Sequence, residues 1–96
     1  MAGYKLTARA ADDIDGIYEY TIASFGLEQA RKYIGELHTQ LGMIATHPNA
    51  GRDADDLAPG LRRFEYQQHI VFYLPGQHGI HVVRVLHHSM DARRHL

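Results

Sequence analysis

The sequence predicts a small α+β domain in which a helical hairpin lies on one face of a mostly antiparallel sheet. Three observations carry this. Apolar residues recur at spacings of three and four through residues 11–44, segments rich in Val, Ile, Phe and Tyr follow residue 60, and Gly or Pro punctuates the changes of period. With 96 residues and 45% hydrophobic content, the chain fits a single domain, 1–96, that removes about 60–65% of its unfolded surface from water.

The elements follow in order. Tyr4-Lys5-Leu6 alternates like a short strand and leads to Thr7, an N-cap candidate for the helix that begins at Ala8. Ala11, Ile14, Tyr18, Ile22 and Phe25 form its apolar stripe, and Asp12, Asp13 and Asp15 fall where carboxylates favour the helix dipole. Gly26 ends that helix. A second stripe runs through Ala30, Ile34, Leu37, Leu41 and Ile44 and stops before Pro48, because a residue preceding proline disfavours helix. At 1.5 Å per residue the two helices are roughly 25 and 30 Å long, matched well enough to pack antiparallel against a common sheet.

Residues 48–60, with Asn, two Gly, two Pro and three Asp, read as a loop. Leu61–Gln67, His69–Leu74 and Ile80–His87 are three strand candidates, the last two joined by a turn at Pro75-Gly76-Gln77-His78-Gly79. The order is therefore strand, helix, helix, strand, strand, strand, with no repeats. A hairpin on one face leaves the other face of the sheet partly free for docking.

Composition narrows the function classes. With no cysteine there is no disulfide framework, thiolate metal site or thiol nucleophile, in keeping with a reducing cytosol. The N-terminus lacks a basic region followed by an apolar run, and the longest apolar stretch, Ile70 to Leu74, is far short of the roughly 20 residues a membrane span needs. A cytoplasmic protein without membrane contact is the expectation.

The net charge of −1 argues against gripping nucleic acid by positive potential alone. Its distribution is uneven: residues 1–59 balance to −4, and residues 60–96 to +3 with six of the eight histidines. That half suits an anionic partner, or else is a solvated basic face.

Among single residues, Arg84 interrupts an apolar strand, where an unpaired buried charge would be costly. It either pairs with a carboxylate such as Asp91 or Glu65, or reaches a partner. Arg93 and Arg94 are either a solvated tail or contacts for an acidic partner. His81 and His87 would stand roughly 20 Å apart along one strand, and His87 and His88 would point to opposite faces, so no metal site is expected. Tyr73 is of interest for its polar end. Met90 is a candidate apolar plug holding the tail to the sheet, with Asp91 as its hydrogen-bonding anchor or an arginine's partner.

The ordered landmarks His47-Pro48, Gly51-Arg52, Leu61-Arg62-Arg63, His69 to Tyr73, and Arg84 to Asp91 with Arg93-Arg94 resemble the RelE/ParE superfamily of type II toxins, ParE branch, over essentially the whole chain. The resemblance implies a toxin neutralised by a ParD-like antitoxin in a hetero-oligomer. It also implies inhibition of DNA gyrase by protein contact, without catalysis, cofactor, metal or direct nucleic-acid binding. Its implied target- or antitoxin-binding set is Arg62, Arg63, His69, Tyr73, Arg84, His87, His88, Met90, Asp91, Arg93 and Arg94. RelE relatives instead cut messenger RNA on the ribosome, using Lys and Arg with a C-terminal Tyr or His. Here no lysine follows Lys32 and arginine stands near the end, although Glu65, His69, Tyr73, His87 and His88 offer acid and base groups. An inactive interaction module is the third alternative.

Overall fold

Thr7 is where strand becomes helix: its backbone is extended and its hydroxyl accepts from the Ala10 amide, so one orphan amide of the first helical turn is satisfied. In the computed structural model, which describes residues 3–96, the elements are β1 (Gly3–Leu6), α1 (Ala8–Phe25), α2 (Leu27–Thr46), β2 (Arg52–Asp53), β3 (Arg62–Tyr66), β4 (His69–Gly76), β5 (Gly79–His87) and α3 (Ala92–His95). Gly26, at φ +93°, ends α1 and begins α2 with a conformation that side chains resist.

The strands form one sheet in the order β1-β5-β4-β3-β2, with β1 parallel to β5 and the other pairs antiparallel. The α+β architecture read from the sequence is therefore present. Two strand details differ. The loop after α2 contributes β2, and the turn between β4 and β5 shrinks to Gln77-His78 because Pro75 and Gly76 continue the ladder opposite Ile80 and Gly79. Gly79 has no room for a side chain, since a Cβ would meet the Gly3 backbone carbonyl.

Each sheet face has its own core. Val71 and Tyr73 of β4 and Val82 and Val85 of β5 meet Ile14, Ile17, Leu37, Leu41 and Ile44 of the helical hairpin. Strict alternation would not bring both Val82 and Val85 to that side. A bulge does: Phe72 pairs with Arg84 while Tyr73 pairs with Val82, so Val83 is the extra residue that resets the period. On the opposite face, Ile70, Phe72 and Leu86 pack against Ala54, Leu61, Leu57 and Ala58 of the loop before β3 and against Ala92 of α3. The face expected to be partly free is thus largely roofed.

The α1 stripe is rotated from its expected position. Ala10, Ile14, Ile17 and Thr21 are the buried residues, Tyr18 and Ile22 are only partly so, and Phe25 is 69% exposed. Nor do the early aspartates serve the helix dipole, for the first turn of α1 holds no acidic residue. Asp13 has a different task.

Candidate functional site

Beyond Leu6, β1 no longer covers β5, and α1 takes over that edge. The Thr7 hydroxyl donates to the Val83 carbonyl, and the Val85 amide donates to Asp13 Oδ2 at 2.9 Å. Arg84 completes the closure. Its Nε and Nη2 donate to the two oxygens of Asp13 at 2.8 Å each, while Nη1 donates to the His95 carbonyl of α3. Hydrogen bonds and charge from Asp13 hold the Arg84 pKa above its ordinary value, outweighing burial. Its partner is therefore Asp13, not Asp91 or Glu65. Glu65 pairs with Arg52 at 3.0 Å, and Asp91 caps α3 by accepting from the Arg93 amide, with Arg94 Nε 3.8 Å away. Arg84 is a structural tie among α1, β5 and α3.

Two more expected contact residues are structural. Tyr73 is wholly buried, and its hydroxyl donates to the Pro48 carbonyl and accepts from the Gly51 amide. A Cβ on Gly51 would lie 2.6 Å from that hydroxyl, so the Gly51 landmark records a close approach. Arg62 donates to the Asn49 and Gly51 carbonyls and pins the same loop. Met90 is no plug: it is 40% exposed.

Three histidines, His69, His87 and His88, gather at one end of the sheet. His69 Nδ1 lies 2.7 Å from the Tyr33 hydroxyl of α2, and its ring meets His87 edge-on at 5.5 Å. Burial, then His87 and His88, lowers the His69 pKa to about 4. Neutral His69 thus shares a hydrogen bond with Tyr33, whose own pKa burial raises. His88 follows the strand in a turn, so it escapes the opposite-face rule and stacks on His87 at 4.4 Å. His87 is hydrogen-bonded to Ser89 and His88 to Gln68. Among the described residues, no group of three or more His, Asp or Glu side chains is placed to hold a metal ion.

Around this cluster two recesses of about 420 and 460 Å³ meet at Tyr20, His69 and His87, forming one groove between α1 and the ends of β4 and β5. Tyr20, 68% exposed, and Phe25 line it as large unpartnered aromatics. The sequence allows a groove on the exposed side of the hairpin but does not single out Tyr20 as its lining. Tyr20 carried the available signal, an aromatic lying off the apolar stripe of its helix. Past the groove, α3 presents Arg93 and Arg94, whose side chains are 66% and 83% exposed; Arg93 reaches Asp56 at 3.3 Å. The arrangement is suited to binding: an apolar groove, a histidine ridge and a cationic tip.

The fold is thus a helical hairpin over a sheet that ends in a cationic arm. The structure described as "Chromosomal ParDE TA system from P. aeruginosa" superposes with a TM-score of 0.75 at 25% identity, over 91% of this chain and 96% of that one. The family described as "ParE toxin of type II toxin-antitoxin system, parDE" matches residues 4–92. Toxin ParE1 of Caulobacter vibrioides is 43% identical over 100% of this chain and 99% of its own length. Toxin ParE of Escherichia coli is 37% identical over 100% of this chain and 94% of its own. The chain belongs to the ParE toxin family of type II toxin–antitoxin systems.

Proposed function

We propose that this toxin inhibits DNA gyrase in the cytoplasm by protein contact, using the arm from His87 to Arg94, and that it does not cut nucleic acid. The carrying observation is a contrast of availability. Arg93 and Arg94 extend into solvent, whereas His69, the most enclosed of the clustered histidines, is half-buried, held neutral and hydrogen-bonded to Tyr33. A general acid and base need free access to a substrate proton, and no lysine after Lys32 is present to steady a phosphate transition state.

A ParD-like antitoxin occupies the groove in this reading. Tyr20 and Phe25 would accept the apolar side of an amphipathic segment, giving a toxin–antitoxin hetero-oligomer, and the P. aeruginosa relative is described as a ParDE system. Deleting Ser89 to Leu96 is a blunt probe of the arm, because it also removes Ala92 from the small core and the His95 carbonyl from Arg84. Point variants are cleaner. The chain expressed without antitoxin should abolish supercoiling by purified gyrase and leave translated message intact, and Arg93→Ala with Arg94→Ala should restore supercoiling. Codon-phased cuts in message with unimpaired supercoiling would instead establish a ribonuclease. No growth effect at all would mark an inactive module.

A further inference from the structure

We propose that the recess on the sheet face away from the hairpin receives a carboxylate side chain from an acidic segment of a protein partner, with Arg63 as its receptor. Four of the arginines between residues 60 and 96 have acceptors: Arg62 has loop carbonyls, Arg84 has Asp13, Arg93 has Asp56 and Arg94 has Asp91. Arg63 differs. It enters no ion pair with a described residue, and its Nε, like that of Arg62, is buried with no acceptor, but unlike Arg62 it has no carbonyl to hold the rest of its guanidinium. A half-buried guanidinium left without a counter-ion is unfavourable, and such an exception calls for a ligand.

The surroundings hold Arg63 ready. Its guanidinium lies over the Phe72 ring, 5.6 Å from the centroid, which fixes the planar group and lowers the entropy lost when its fork meets a carboxylate. The recess has a volume of about 250 Å³ and an apolar floor of Leu57, Ile70, Phe72 and Leu86. His88 and Arg93 stand at its rim. It fits an acidic side chain flanked by an apolar one.

The same lining disfavours a nucleic-acid backbone. Asp56 and Asp91 also border the recess and offset Arg93 and Arg94, so Arg63 alone is left to neutralise. One carboxylate would complete the balance. Successive phosphates would face two aspartates, whereas a backbone site neutralises several phosphates with several cations. The recess adjoins the antitoxin groove at Leu86, His87 and Met90, but Arg63 and Phe72 line the recess and not the groove, and the inference stands whether or not gyrase is the target.

Titration of the intact chain by NMR tests it, with an acetylated, amidated Leu-Glu-Phe peptide as probe. The Arg63 Nε resonance and the backbone amides of His88 and Ala92 should shift saturably. Affinity should fall at least tenfold for the Leu-Gln-Phe peptide and for the Arg63→Gln chain. Arg63→Lys should also weaken binding by losing the fork, and Asp56→Asn should bind the Glu peptide several-fold tighter by removing a competing carboxylate. That gain should vanish when Arg63→Gln is added, and a gain that persists there would assign binding to Arg93 freed from Asp56 and overturn the proposal. Equal affinity for the Glu and Gln peptides, or undiminished binding by Arg63→Gln, would overturn the proposal. So would shifts produced by a thymidine hexanucleotide and not by the Glu peptide.

Discussion

On the hairpin side of the sheet, Val71, Tyr73 and Val82 are fully sealed by two long helices, whereas on the other side Ile70, Phe72 and Leu86 are roofed by a loop and one residue of a four-residue helix. The helices bring Leu37, Leu41 and Ile44, all wholly buried, and the larger cluster. The loop brings Ala54, Leu57, Ala58 and Leu61, and leaves Arg63, His88 and Arg93 at the margin. One face is therefore built for stability and the other tolerates the charge that recognition needs. Arg84 joins them, since its Asp13 contact belongs to α1 and its His95 contact to α3.

Breaking that joint should have the largest effect. Asp13→Ala strands the Arg84 guanidinium, whose side chain is only 10% exposed, and also the Val85 amide. A loss of about 3–5 kcal/mol is expected, enough to unfold much of the population, and thermal unfolding followed by circular dichroism would read it. A variant with an unchanged melting temperature would deny Arg84 its structural role.

The asymmetry of the faces comes next. Leu41→Ala, in the larger core, should cost about 2–5 kcal/mol, and Leu86→Ala should fall at the lower end of that range because its thin roof can settle into the cavity. Urea titration compares the two. A costlier Leu86→Ala would reverse the assignment of the faces.

The histidine ridge gives a smaller effect tied to pH. His69 titrates near 4 in the folded chain, below its ordinary value of 6.5, so between those values the unfolded chain binds more protons. Its stabilising contribution is complete above pH 6.5 and declines as pH falls toward 4. Melting temperatures measured across that window should slope less for His69→Gln than for the parent chain. Parallel profiles would place the titration elsewhere.

The smallest stability change should come from Arg93→Ala and Arg94→Ala. Their ion pairs are exposed, and such pairs contribute about 0–1 kcal/mol. Melting should barely move while the proposed gyrase inhibition is lost. That combination would separate recognition from folding, and a marked loss of stability would merge them again.

Most of the fold was legible because local rules write it. Thr7 caps α1, Gly26 divides the helices, Pro48 follows the end of α2, and the runs from Leu61, His69 and Ile80 become strands. The candidate site was legible only in outline. The cationic ending was visible, but Tyr73 and Arg62 proved to bind the loop at Pro48–Gly51, and the lining of the groove by Tyr20 went unseen. Arg84 shows why. Asp91 and Glu65 were nearer in sequence, yet its partner is Asp13, 71 residues away, which reaches it only because α1 crosses the β5 edge that β1 leaves bare.

By itself, then, the sequence determined the order of the main elements, the inward face of α2 and a basic C-terminal half, since periodicity, capping and charge act over a few residues at a time. Tertiary structure alone decided which charges are consumed and which remain free. Arg84 meets its carboxylate and Arg63 meets none, because pairing depends on which strands and helices become neighbours, and one bulge at Val83 is enough to change which side chains face the same side.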